Sequence, residues 1–148
     1  MRVVLDLEEG SAVRDKINDA ILKWKLNHIE VIYEHSTKGV FSAESEDFGP
    51  VILKIDQNRQ QLGSEYKMLS RLSGRYSCRV YAFDEAAGLL LEEHIFPGTV
   101  LRREASLEKR IQVFLQVFQG IHLPADPGET YLNWLEKICE YCVRHQVA

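Results

Sequence analysis

The chain has 148 residues, with 18 Lys and Arg against 22 Asp and Glu, and a formal net charge of −4. This net charge does not indicate a basic surface for binding nucleic acid or an anionic membrane. No apolar run approaches the roughly 20 residues that span a bilayer. The length suits one domain, or one lobe of a larger domain, with its own hydrophobic core. The first ten residues mix Val3, Val4 and Leu5 with acidic side chains, unlike a secretory signal. We therefore expect a cytoplasmic protein with no nucleic-acid or membrane partner.

The first predicted element is a helix from about Ala12 to Lys25. Ser11 is its N-cap, and apolar residues recur at spacings of three and four, at Val13, Ile17, Ile21 and Trp24. Two strands follow, at 28–36 and 40–46, with the hairpin break Thr37-Lys38-Gly39 between them. The next run, Val51 to Ile55, is unbrokenly apolar until Lys54, which is typical of a central strand.

A second helix is predicted from about Gln60 to Leu72, and it ends near Gly74. Arg79 to Asp84 and Leu89 to Glu93 are strand-like, with a turn at 85–88. This order predicts an α+β fold, in which a five-stranded antiparallel sheet carries one inserted helix and is preceded by an N-terminal helix.

The pattern changes after Pro97 and Gly98. A helix begins after Ser106 and ends near Gly120, and its apolar residues are Leu107, Ile111, Phe114, Leu115 and Phe118. Asp126-Pro127-Gly128-Glu129 combines an acidic N-cap, Pro at the first helical position and Glu at the third, which predicts another helix. That last helix would carry Tyr131, Leu135, Ile138 and Cys142 on one side.

Lys54 and Glu65 stand out because both charges point into apolar layers. Glu65 falls within the helical stripe of Leu62, Tyr66, Leu69 and Leu72. A carboxylate that faces a core needs a proton or a cation, and Lys54 on the preceding strand is the nearest cation in sequence. Two interpretations fit this pair: an ordinary structural ion pair, or the lysine and glutamate that hold ATP phosphates in kinases.

Further motifs resemble the aminoglycoside phosphotransferase group of the kinase-like fold, in particular its streptomycin 6-kinase and hydroxyurea-resistance branch. They are Trp24-Lys25-Leu26, Val51-Ile52-Leu53-Lys54 with Glu65, and Leu89-Leu90-Leu91-Glu92 followed by Pro97-Gly98-Thr99-Val100-Leu101. The resemblance covers about half the chain. It implies a protein-kinase-like N-terminal lobe over residues 1–96, and a hinge with the first helices of a C-terminal lobe over 97–148.

The resemblance also implies a binding site for ATP, taken up as Mg-ATP by the complete enzymes. Lys54 would contact the phosphates and Glu65 would hold Lys54 in place. The main chain of Glu92, His94 and Ile95 would hold adenine. For Glu92 and His94, a solvent-exposed linker is the alternative. Gly39 would belong to the phosphate-covering loop. That loop has one glycine where protein kinases have three, so an ordinary hairpin is the favoured alternative.

The residues that would catalyse phosphotransfer are missing. The family uses H-G-D-x-x-x-x-N and I-D-P to supply the catalytic Asp and the magnesium ligands, and none of the five histidines here begins such a motif. Ala125-Asp126-Pro127 imitates the magnesium motif, but helix capping already explains it. We therefore expect no catalytic or metal-binding residue in this chain, and weak or absent ATP binding.

Three hypotheses remain open at this stage. The chain is the ATP-binding portion of an antibiotic-resistance kinase for an aminoglycoside-like substrate, cut short before the catalytic loop. Alternatively, it is a natural non-catalytic nucleotide-binding or interaction module, or an unrelated helix-decorated sheet. A homodimer through Phe114, Phe118, Leu135 or Ile138 is predicted, because these residues would otherwise expose an apolar face.

Three cysteines, with no signal sequence, indicate reduced thiols. Cys139 and Cys142 match C-x-x-C, and His145 follows. Since no second ligand pair completes a tetrahedral zinc site, core thiols are the favoured interpretation over a metal or redox site.

Overall fold

The computed structural model describes residues 12–122, 124 and 144. The predicted last helix, with Tyr131, Leu135, Ile138 and Cys142, lies outside these residues. So do Asp126-Pro127, the C-x-x-C pair and His145. The division of the chain near Pro97 stays a prediction.

The described part is an α+β fold with a five-stranded open antiparallel sheet and three α-helices. The elements in chain order are α1 (Ala12–Trp24), β1 (Leu26–His35), β2 (Lys38–Ser45), β3 (Gly49–Asp56), α2 (Arg59–Leu72), β4 (Val80–Asp84), β5 (Leu89–Glu93) and α3 (Leu107–Ile121). The strand order across the sheet is β1-β2-β3-β5-β4. The N-terminal helix, the sheet and the inserted helix α2 are therefore confirmed.

Helix α1 covers one face of the sheet, which we call the core face. Its apolar residues Val13, Ile17, Ala20 and Trp24 are buried against strand residues that include Phe41, Leu53 and Leu91. The end of α1 is fixed to β2, because the buried Ser45 hydroxyl donates a hydrogen bond to the Trp24 carbonyl at 2.9 Å. The apolar face of α1, which repeats every 3.6 residues, thus packs in one core with the apolar face of β2 and β3, which repeats every two residues.

Helix α2 packs on the opposite face, over β4 and β5. Leu62 and Leu72 are its buried residues, and Tyr66 stacks on Phe83 of β4 with 4.4 Å between ring centroids. The Asn58 side chain caps its first turn by accepting a hydrogen bond from the Gln61 N–H. Since α2 leaves the β1–β2 side of this face uncovered, we call it the cleft face.

The hairpin break was misplaced by the sequence pattern. His35 pairs with Lys38, so the turn is Ser36-Thr37, and both Lys38 and Gly39 belong to β2. Gly39 is buried above Phe41, and a Cβ built on it would lie 2.5 Å from the Phe41 ring. Close packing, rather than a turn conformation, therefore requires glycine here.

After β5, a short 3-10 turn at Leu101–Arg103 leads to α3, whose N-cap is Ser106 as predicted. Within the described residues, no helix combines the length and apolar character needed to cross a membrane.

The core face predicts how substitutions in α1 affect stability. Ile17 is fully buried, so Ile17→Ala should lower the free energy of unfolding by about 2–5 kcal/mol through lost burial and a cavity. Leu22 in the same helix is 82% exposed, and Leu22→Ala should change it by less than about 0.5 kcal/mol. Urea denaturation of both variants measures this, and equal effects would contradict the packing of α1.

Candidate functional site

Lys54 lies on β3 and points to the cleft face. Residues Val51, Leu53 and Ile55 of this strand are buried on the core face, so Ile52 and Lys54 alternate to the other side. Strand register places Lys54 opposite Val40 on β2 and opposite Leu90 on β5. The ammonium group is therefore held over the middle of the sheet, between the β1–β2 hairpin and α2.

Two carboxylates hold the Lys54 ammonium group. Its Nζ lies 2.5 Å from Oε1 of Glu65 on α2 and 2.9 Å from Oε2 of Glu92 on β5. The pairing of Lys54 with Glu65 is as predicted, whereas the pairing with Glu92 is not. We refer to Lys54, Glu65 and Glu92 as the Lys54 triad.

The two carboxylates of the triad differ in their access to water. The Glu65 side chain is 39% exposed, at the edge of the apolar stripe of α2, and that of Glu92 is 3% exposed. The main chain of Glu92 was predicted to hold adenine, with a solvent-exposed linker as the alternative. That alternative is wrong for Glu92, because β5 continues through Glu93 and buries it.

Burial and charge act in opposite directions on this cluster. Burial alone would lower the pKa of Lys54, but its hydrogen bonds to Glu65 and Glu92 outweigh burial and raise that pKa. Burial raises the pKa of Glu92, although Lys54 works against this. Burial and the nearby Glu92 charge raise the pKa of the Cys78 thiol to about 11, so this cysteine is a thiol rather than a thiolate at neutral pH.

A cleft of about 290 Å³ opens beside the triad. Its lining comes from the hairpin, β3 and α2, and includes Tyr33, Lys38, Gly39, Lys54, Asp56 and Glu65. The structure thus brings Gly39, Lys54 and Glu65 to one cavity. This volume is at the lower limit for small-molecule pockets, which suits a compact polar group better than a whole nucleotide.

His94 and Ile95 lie beyond the end of β5, away from this cleft lining. The His94 backbone N–H donates to the Pro50 carbonyl at 3.3 Å, so it is already engaged. Its ring packs against Phe96, with 4.2 Å between centroids, and Ile95 is 51% exposed. Any ligand that takes hydrogen bonds from this segment must use other main-chain groups than the His94 N–H.

The sequence interpretation missed two contacts of the site: Glu92 as a partner of Lys54, and Cys78 as a partner of Glu92. The Cys78 Sγ lies 3.6 Å from Glu92 Oε2. A usable signal for Glu92 was present in β5: Leu89 and Leu91 alternate with Leu90 and Glu92, which puts Glu92 on the same face as Lys54 in an antiparallel sheet. Nothing in the sequence near Cys78 gives a comparable signal.

A second surface lies on α3. Six apolar residues form what we call the apolar stripe of α3, each between 39% and 62% exposed: Leu107, Ile111, Phe114, Leu115, Phe118 and Ile121. Phe114 and Phe118 stack on each other at 5.7 Å between centroids. No grouping of three or more His, Cys, Asp or Glu residues suited to a metal ion occurs within 12–122 or at 124 and 144.

Comparison with known proteins adds no relative: no protein-family model matches the chain, and no curated protein matches it significantly.

The triad predicts that Lys54 is needed for stability as well as for any ligand. Lys54→Met leaves Glu92 buried without a cation, which should lower the free energy of unfolding by about 3 kcal/mol, and adding Glu92→Gln should restore most of the loss. The matched control is Lys25→Met, which breaks an exposed ion pair with Asp47 and should lower the free energy of unfolding far less, because water screens this pair.

The pH dependence of these variants supplies a second measurement. A carboxyl whose pKa is higher in the folded than in the unfolded state stabilises the fold while protonated, and that contribution is lost as pH rises. The deficit of Lys54→Met should therefore be largest at neutral pH and shrink as pH falls towards 4.5, the ordinary Glu value. A deficit independent of pH in chemical denaturation would contradict a buried, unpaired Glu92.

Proposed function

We propose that this chain is the ATP-binding portion of a kinase-like small-molecule phosphotransferase. The observation that carries the proposal is the position of the Lys54 ammonium group. It is paired with Glu65 from the helix inserted between β3 and β4, and it lines the cleft next to the β1–β2 hairpin. A lysine in this arrangement is the element that contacts nucleotide phosphates in kinases.

The arrangement of the sheet supports the same assignment. Three antiparallel strands are followed by one helix and two more strands, and that helix lies on the face to which Lys54 points. This is the architecture implied by the resemblance to aminoglycoside phosphotransferases. The coincidence of the Lys and Glu motif residues in space is independent of that resemblance, because it rests on strand register and helix packing.

In the proposed complex, the phosphates of Mg-ATP lie in the cleft beside Lys54 and Gly39. The cleft volume of about 290 Å³ suits the phosphate groups. Adenine extends along the cleft face towards the main chain of Glu92, His94 and Ile95. The Lys54 ammonium has three N–H donors, of which Glu65 and Glu92 use two, so one can point to a phosphate oxygen.

The acceptor in the proposed reaction is a hydroxyl group of an aminoglycoside-like molecule. The sequence contains no H-G-D-x-x-x-x-N motif to orient such a hydroxyl or to hold magnesium. The residues of this chain therefore bind and orient the nucleotide without transferring its phosphate.

Calorimetric titration with Mg-ATP tests the proposal. The unmutated chain should bind, and Lys54→Met combined with Glu92→Gln should weaken binding by roughly tenfold or more, because it removes the cation without leaving a buried charge. The matched control replaces the exposed pair, Lys25→Met with Asp47→Asn, and should bind as the unmutated chain does. Absence of binding by the folded, unmutated chain would refute the assignment.

A second candidate function is that of an interaction module that acts as a homodimer. The apolar stripe of α3 supports it, because contiguous exposed apolar surface marks association sites in soluble proteins. Phe114 and Phe118 lie at the centre of the stripe, whereas the predicted contacts of Leu135 and Ile138 fall outside the described residues.

Sedimentation velocity at micromolar concentration tests the dimer. The unmutated chain should sediment as a dimer, and Phe114→Glu with Phe118→Glu should sediment as a monomer, since charges would have to be buried in the contact. Leu22→Glu, on an exposed position of α1, is the control that should leave the dimer intact. A monomeric unmutated chain would rule out self-association through the stripe.

A further inference from the structure

The Lys54 triad contains one more carboxylate than is needed to neutralise the lysine. Glu65 accepts from Nζ at 2.5 Å, and both oxygens of Glu92 are within reach, at 3.2 Å for Oε1 and 2.9 Å for Oε2. With all three groups ionised, the triad has a net charge of −1. A phosphate group that approaches Lys54 thus meets a cation whose charge is already more than offset.

The rest of the cleft does not compensate for this excess. Two lysines, Lys38 and Lys54, and two carboxylates, Asp56 and Glu65, line the cavity, so their formal charges cancel. Glu92 is not part of the cavity lining, but it contacts the Lys54 ammonium group at 2.9 Å and adds a further negative charge next to it. Because Glu92 is shielded from water, its repulsion of an anion is screened less than that of the exposed Glu65.

We propose that Glu92 is a specificity-determining residue that competes with ligand phosphates for Lys54, so that a triphosphate gains less affinity from Lys54 than it would if the lysine lacked this partner. This inference rests on the proposed function, since it concerns the same cleft. It assigns opposite roles to the two carboxylates. Glu65 positions Lys54 from α2 at the cleft, whereas Glu92 holds it back towards the sheet.

The test compares the dissociation constants of adenosine and Mg-ATP at one ionic strength. Glu92→Gln keeps the shape and a hydrogen-bond acceptor but removes the charge, so it should tighten Mg-ATP binding on the order of tenfold and leave adenosine within about twofold. Glu93→Gln is the matched control: it removes a charge from the neighbouring position on the other face of β5, and both constants should be unchanged.

The outcomes separate this inference from the proposed function. If Mg-ATP binds but Glu92→Gln leaves the ratio of the two constants unchanged, the competition by Glu92 is refuted and the nucleotide site stands. If neither ligand binds to the folded unmutated chain or to Glu92→Gln, both are refuted. Should Glu92→Gln not fold, Glu92→Met places an apolar side chain of similar length beside Leu90, and the same change in ratio is expected.

Discussion

The buried carboxylate of Glu92 is the constraint on which the rest of the site depends, because a charge removed from water needs a cation within hydrogen-bonding distance. The cleft face of β3 supplies it, because the register between β3 and β5 puts Lys54 diagonally across from Glu92. Lys54 in turn brings Glu65, and with it one turn of α2, to the sheet. The charge of the cleft thus follows from this cluster of one lysine and two carboxylates.

Much of the fold was predictable because its signals are local. The repeat of apolar residues in α1, the Ser106 cap of α3 and the run Leu89 to Glu93 each specify an element from a few neighbouring residues. Lys54 and Glu65 could also be paired in advance. Only 11 residues separate them in sequence, and each is a charge in an otherwise apolar pattern.

Non-local contacts explain what the sequence pattern did not reveal. Glu92 is 38 residues from Lys54, and the two meet only once the order of β3 and β5 in the sheet is known. The place of Gly39 within β2 depends on its contact with the Phe41 ring, whereas the Thr37-Lys38-Gly39 pattern favours a turn. The roles predicted for His94 and Ile95 are contacts with a ligand. Contacts within the chain do not test them, so they stay predictions.

The pairing of Lys54 with two carboxylates affects the movement of α2 as well as the charge of the cleft. If Glu65 were the single partner of Lys54, any outward movement of α2 would leave the half-buried ammonium group without a carboxylate. Here Glu92 also contacts Lys54, at 2.9 Å, and this contact does not involve the helix, because both residues belong to hydrogen-bonded neighbouring strands. The electrostatic penalty for displacing α2 is therefore reduced, and the conformational equilibrium of this helix is set mainly by the packing of Leu62, Leu72 and Tyr66.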